Sequence, residues 1–297
     1  MDKKIYKRRD FLGNVMQAGA AGLMVNPVLS HFTGTESLTV TQVIDRILAG
    51  VPGNKLIDTV DTLKSGSGDT VVTGIVTTMF CTVRVIESAA KIKANFIIAH
   101  EPTFYNHQDD ENWVENNSVV KAKKELLEKY QITVWRFHDH LHRMKPDGVL
   151  HGVLAKTGWL KFNPKEEFVF ELPAQSLENI IRHLKESLNI PHLRYIGEPK
   201  ANCRTIAFIP GAPGGQLQLK ILIESKADLF IAGESSEWET PEFIRDSEAL
   251  GNPVSMIVLG HAFSEEPGME WLVQWLQPKL PGIRISHIPS GEPFIWA

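Results

Sequence analysis

The chain has 297 residues, of which 43% are hydrophobic and 22% charged, with 22 Gly and 17 Pro. That composition excludes disorder, collagen and coiled coil as the main architecture, and at roughly 150 residues per domain the length allows one large domain or two small ones. The net charge of −4 is uneven: residues 1–10 sum to +3 and residues 31 onward to −7, an acidic body that argues against nucleic acid as a partner.

The first thirty residues read as an address. Basic residues Lys3, Lys4, Lys7, Arg8 and Arg9 precede an uncharged run, Phe11–Val25, interrupted by Asn14 and Gln17 and too short to span a bilayer comfortably. Arg8-Arg9-Asp10-Phe11-Leu12 is similar to the twin-arginine export signal, with Lys7 where Ser or Thr is usual. The expectation is a signal peptide over residues 1–30, cleavage after Ser30, a periplasmic location, and no membrane attachment after signal removal. Export of a folded protein by this route fits one that carries a metal or another prosthetic group.

From Thr39 onward strands and helices alternate, as in an α/β protein. Val71–Thr78 reads as a strand and Thr82–Lys93 as a helix with Val83, Ile86, Ala89 and Ala90 on one face. Asn95–Ala99 is an apolar strand, Val119–Tyr130 a Lys/Glu-rich helix and Thr133–Phe137 a third strand. A second series follows: strand Phe168–Leu172, helix Gln175–Leu188, strand Thr205–Pro210, helix Gln216–Ser225 and strand Asp228–Ala232. It closes with helix Pro241–Ala249, strand Val254–Leu259, helix Met269–Leu276 and strand Ile283–Ile288. The segment Lys93–Glu101 (KANFIIAHE) is echoed by Lys226–Glu234 (KADLFIAGE). The echo and its flanking helices predict two related α/β lobes, residues 31–165 and 166–297, with a hinge near 160–166. The C-terminal part is expected to return and complete the site.

Metal-capable side chains gather just after three strands. His100 and Glu101 follow the first, His138, Asp139, His140 and His142 the second, and His261 and Glu265 the third. In open parallel sheets ligands bind beyond the carboxyl ends of strands, so these groups can converge. On a helix starting at Gly260, His261 and Glu265 share a face, being i and i+4. Imidazole and carboxylate without thiolate suit zinc, iron, manganese or nickel. Two cysteines, Cys81 and Cys203, are too few for a disulfide scaffold. Gly211–Gly215 reads as a Gly/Pro turn, with an anion cradle as the other reading. Trp113, Trp135 and Trp238 read as packing residues, and His107, His151, His183, His192 and His287 as surface histidines.

These segments resemble the NIF-three-like family, the dinuclear metal centre proteins or GTP cyclohydrolase I type 2 homologues. Gly260-His261-Ala262-Phe263-Ser264-Glu265 matches the family's Gly-His-x-x-Ser-Glu. His100-Glu101-Pro102 matches its His-His-Pro with Glu for the second His, and His138–His142 matches its His-Thr-x-x-Asp with His142 for Asp. Gly233-Glu234 matches the Gly-Glu after the second-lobe strand, and the likeness runs over roughly residues 40–295. The resemblance implies a two-lobed α/β fold with the metal site at strand ends between the lobes. It implies two divalent ions per chain (zinc, iron or manganese) held by His100, Glu101, His142, His261 and Glu265, with Glu265 bridging. The two departures exchange one imidazole for one carboxylate each way and leave the summed ligand charge unaltered. The resemblance further implies a homohexamer and cyclohydrolase-like hydrolysis of a small molecule. His138, in the same strand-end segment as His142, is the expected proton shuttle, and Glu265 is the other expected catalytic residue. A metal-binding or metal-delivery protein without turnover uses the same ligands. A barrel amidohydrolase, prompted by His138-x-His140, fits the strand and helix count less well.

Overall fold

The computed structural model describes residues 37–297, apart from 54, 55, 111, 115 and 296. The expected signal peptide lies outside the described residues.

Two five-stranded sheets organise the chain. The first holds β2 (Ile75–Thr78), β3 (Phe96–Ala99) and β4 (Thr133–Arg136) in parallel. Beyond β4 runs β1 (Leu63–Ser65), antiparallel, and beyond β2 runs β10 (Ile285–His287), parallel. In the second sheet β7 (Asn202–Ile209), β8 (Leu229–Ala232) and β9 (Ser255–Val258) are parallel. Antiparallel β5 (Val169–Ser176) and β6 (Arg194–Ile196) form its edges. Strands β3, β4 and β8 are buried along their whole length, which is why β3 and β8 read as continuous apolar runs rather than alternating ones.

The sequence echo is structural. β3 and β8 are the middle strands of the two parallel trios. Lys93 and Lys226 both take left-handed backbone, with φ of 59° and 51°, to leave the preceding helix. Asn95 then accepts a hydrogen bond from the Thr73 N–H, and Asp228 accepts from the N–H groups of Arg204 and Thr205. One polar position performs the same task in both lobes, satisfying donors at the mouth of the neighbouring strand.

Helices cover the sheets. α1 (Val40–Leu48) opens with a capping box between Thr39 and Gln42. α2 (Val83–Lys91) is capped by Thr82 and buries Val85, Ile86 and Ala89, and α3 (Ser118–Lys129) is capped by Asn117. Short α4 (Asp139–Arg143) leads to α5 (Gly148–Lys156), whose N-terminal donors from Val149 and Leu150 bond to Asp147. α6 (Leu177–Leu188), α7 (Gly215–Ser225) and α8 (Thr240–Ala249) belong to the second sheet. α9 (His261–Leu276) follows β9.

α5 and α9 join the two cores. Val149 belongs to the core under the first sheet, while Leu150, Val153 and Leu154 belong to the core under the second. Met269, Leu272 and Leu276 of α9 return to the first core, and β10 then extends the first sheet. The helices touch backbone to backbone: a Cβ on Gly268 would come within 2.8 Å of Val149 Cα. The helical turn expected from Gly260 and the helix expected at Met269–Leu276 are one continuous helix, His261–Leu276, with Pro267 inside. Burial against α5 and the first core offsets the backbone bond that the proline removes. α1, α4, α5 and two short edge strands, β1 and β6, were not among the expected elements: α4, β1 and β6 are short and α5 is apolar on most faces, whereas α1 is amphipathic and was legible from Val40, Val43 and Ile47.

Candidate metal centre

Three parallel strands deliver the donors. β3 ends at Ala99, and His100 and Glu101 follow, their N–H groups bonded to the carbonyls of Thr78 and Met79. β4 ends at Arg136, and the chain turns into α4 with His138 before it and His142 within it. β9 ends at Val258, and Gly260, with φ of 97°, turns the chain into α9, whose first residue is His261. His261 Nε2 and Glu265 Oε2 lie 3.1 Å apart, one helical turn separated.

Four imidazoles share one arrangement. His100 Nδ1 faces the Phe137 carbonyl at 3.2 Å. His138 Nδ1 faces Asp139 at 2.9 Å, and His142 Nδ1 faces Asp147 at 3.0 Å. His261 Nδ1 faces Glu234 at 3.2 Å. An acceptor at Nδ1 fixes the tautomer and leaves Nε2 for a metal, as outer partners of metal-binding histidines do. The Nε2 atoms of His100, His138 and His261 turn to two carboxylates. Glu101 Oε1 lies 3.5 Å from His138 Nε2, 3.8 Å from His261 Nε2 and 3.9 Å from His100 Nε2. Glu265 Oε2 lies 3.4 Å from His100 Nε2. His100, Glu101 and Glu265 are all buried, and the His100 Nε2 has no hydrogen-bond partner among the described residues. A buried imidazole nitrogen left without a partner among carboxylates is what a missing cation would explain. His100, Glu101 and Glu265 can hold an ion together, as can His100, His138 and His142.

The electrostatics divide the imidazoles. Burial, with His100 and His142 nearby, pushes His138 down to about 3, so it is neutral at neutral pH. Burial also works against a charge on His261, but Glu234 and Glu265 outweigh it and hold that imidazole up to about 10. Burial raises Glu265, yet His100 and His261 hold its carboxyl below the usual carboxylate range. Without metal, a proton on His261 thus stands where a cation would.

Supporting residues were not legible as such. Asp61 is buried and accepts from the N–H groups of His138, Asp139 and His140, and its Oδ2 lies 2.6 Å from His140 Nδ1. His140 is thereby turned onto Asp61. Thr59 Oγ1 and the Val60 N–H donate to Asp139, which orients His138. Arg136, fully buried in β4, donates from Nε to the His100 carbonyl at 3.0 Å and lies 3.4 Å from Glu101 Oε2 through Nη2. The one sequence signal was a charged residue inside an otherwise apolar strand, TVWRF.

His107 is exposed, as expected, and its ring also stands edge-on to His138 with centroids 5.5 Å apart. His287 packs on Glu266, His151 on Glu166 and Trp271, and His183 stacks on Trp159. Trp135 is buried against Phe137, but Trp113 and Trp238 are exposed, which corrects their reading as packing residues. Nothing in the flanking sequence distinguishes them from Trp135 except that Trp135 lies in a strand buried on both faces. Gly211 has φ of 74°, and a side chain there would run into Glu265 Oε1. The Gly211–Gly215 turn therefore packs on the metal-capable carboxylate, and the Glu239 carboxyl stands against Gly215 where α7 begins. Burial pushes the Cys81 thiol up to about 12, which suits a packing residue and no nucleophile.

A family model for Duf34/NIF3 (NGG1p interacting factor 3) matches residues 40–292. The chain belongs to this family. A GTP cyclohydrolase 1 type 2 homolog of Clostridium perfringens is 24% identical over 215 residues, which cover 69% of this chain and 78% of that protein. Another, from Clostridium acetobutylicum, is 25% identical over 236 residues, covering 75% and 84%. Among solved structures, Staphylococcus aureus protein SA1388 superposes with a TM-score of 0.69 at 18% identity, over 88% of this chain and 100% of that one. The Bacillus cereus protein related to NIF3 does so with 0.69 at 14% identity, over 88% and 100%. Reduced HcgD from Methanocaldococcus jannaschii gives 0.59 at 16% identity, over 85% and 98%. These structures establish the NIF3 fold of two α/β lobes.

Proposed function

We propose that this NIF3-family chain is a dinuclear metal-dependent hydrolase. One observation carries the reading: three imidazoles fixed through Nδ1, His100, His138 and His261, turn their Nε2 atoms onto the carboxylates of Glu101 and Glu265, and His142, fixed through Asp147, groups with His100 and His138. His100, Glu101, His142, His261 and Glu265 would hold two divalent ions, with Glu265 between them. His138 shares the fixed geometry of the other imidazoles and lies in the same group as His100 and His142, which favours a ligand over the proton shuttle expected from sequence. Nitrogen and oxygen donors without sulfur suit zinc, iron or manganese.

Two such ions, when bound, supply a nucleophilic water at neutral pH and polarise the group it attacks. The chain's own groups do the rest. Glu234, 59% exposed, orients His261 at the outer side of the site, where a substrate enters. Asp139 and Asp147 orient His138 and His142, and Arg136 backs Glu101. The names of the clostridial relatives make hydrolytic opening of a nitrogen heterocycle the first reaction to test.

Export is proposed with it, supported by Arg8-Arg9-Asp10-Phe11-Leu12. A cytosolic nucleotide is then a poor substrate, and another small molecule is favoured. A homohexamer is proposed on resemblance alone.

The test uses the full chain, stripped by chelator and reloaded with zinc, manganese or iron. It is assayed by absorbance against cyclic amides and amidines. Turnover that needs the metal and is lost in His261→Ala supports a hydrolase. Two tightly held ions with no metal-dependent turnover overturn it in favour of a metal-binding or metal-delivery protein.

A further inference from the structure

The Arg136 guanidinium is fully buried at the end of β4. A guanidinium does not shed its proton, so burial requires acceptors around it. Four surround this one. Nε donates to the His100 carbonyl at 3.0 Å, Nη1 donates to the His107 carbonyl, Nη2 lies 3.4 Å from Glu101 Oε2, and Nη1 lies 3.6 Å from Asp109 Oδ2. Asp109 in turn lies 3.1 Å from Lys64 Nζ. Two cations and two carboxylates alternate, so the network is neutral as a whole.

The two oxygens of Glu101 have different surroundings. Oε2 is directed to Arg136, while Oε1 faces the Nε2 atoms of His138, His261 and His100. We infer that Arg136 is a positioning residue that occupies one oxygen of Glu101, so that this carboxylate serves the metal centre through Oε1 alone. The inference rests on the metal reading above. The same guanidinium grips the carbonyls of His100 and His107, and so fixes both ends of the segment that presents His100 and Glu101. Loss of a positive charge near a cation site would by itself tighten binding. Here the charge is already balanced by Asp109 and Glu101, so loss of orientation dominates and binding weakens.

A double-mutant cycle tests this on the full chain. Cobalt(II) is titrated against a chromophoric chelator, with its visible bands as a readout of ligand geometry. Arg136→Gln keeps two N–H donors for the carbonyls and should weaken one of the two ions by about 10- to 100-fold, the usual effect of removing a ligand's outer partner. Glu101→Gln should weaken the same ion. The double variant should fall less than about twofold below Glu101→Gln, because Arg136 then has no ligand to orient. Factors that multiply in the double variant overturn the inference, because Arg136 would be acting on the fold rather than on Glu101. Unchanged affinity in Arg136→Gln also overturns it. Circular dichroism checks folding, and where Arg136→Gln does not fold, Arg136→Lys replaces it under the same outcomes. A wild-type chain that binds no cobalt overturns the metal reading itself, and this inference with it.

Discussion

His100 Nε2 stands 3.4 Å from Glu265 Oε2, although one follows the third strand of the first sheet and the other lies in the helix that leaves the second. The contact exists because α9 runs from the end of β9 back to the first core. The cluster of metal-capable side chains is thus a product of the chain's return, and the residues that fix that return also fix the cluster.

The anchors on the imidazoles give the first prediction. Asp139 holds His138 Nδ1 and is itself held by Thr59 and Val60. Asp139→Asn should leave two ions bound at saturation but weaken one by about 10- to 100-fold. Isothermal titration of the stripped chain with zinc reads this, and unchanged affinity would show that the anchor is idle.

Stability of the stripped protein should peak near neutral pH. His138 is pushed down to about 3, so between about 6.5 and 3 the unfolded chain takes a proton that the folded chain refuses. Stability therefore falls as pH drops through that window. Asp139, held down to about 2 by His138, Thr59 and Val60 against the opposing effect of burial, acts in the same direction at lower pH. His261, held up to about 10, works from the other side: its contribution is complete below about 6.5 and is lost as pH rises to about 10. Urea unfolding in chelator at pH 5, 7 and 9 should give the highest midpoint at 7. Monotonic midpoints across the series would contradict these assignments.

Asp61 should matter more than its place in a loop suggests. It accepts three backbone N–H groups at the start of α4 and faces His140. Asp61→Ala leaves buried donors unpaired and should destabilise by about 3 kcal/mol, within the range for losing hydrogen bonds to a buried charge. It should also weaken metal binding by displacing His138. A urea midpoint within error of wild type would refute this.

Gly211 tests the shape of the site rather than its donors. With φ of 74° and Glu265 Oε1 against it, Gly211→Ala strains the backbone and pushes the carboxylate aside. Metal content should fall nearly as far as in Glu265→Ala, with helical circular dichroism retained. Full metal content would show that the loop yields.

Much of this was legible in the sequence, and the remainder has identifiable causes. The buried parallel strands announced themselves as apolar runs, and Lys93–Glu101 and Lys226–Glu234 announced the repeat because each builds the same strand with the same flanking contact. Donors at strand ends followed from the rule that α/β sheets bind beyond their carboxyl ends. Arg136 and Asp61 were not legible as site residues, because their partners are backbone groups and side chains far away in the chain. The continuity of α9 from the Gly260 turn to Leu276 was not legible, because Pro267 lies inside it and its local preference is overridden by packing on α5. The anchoring of His138 by Asp139 and the direction of its Nε2 toward Glu101 were not legible either, because both partners are fixed by the turn into α4 and by a neighbouring strand end.

The most direct test of the account is the metal content of the full chain, purified without chelator and measured by mass spectrometry. The wild type should carry about two ions per chain, His142→Ala about one and Glu265→Ala close to none, since a bridging carboxylate offsets the repulsion between two dications. Less than half an ion per wild-type chain, even after incubation with zinc, manganese or iron, would contradict the dinuclear centre.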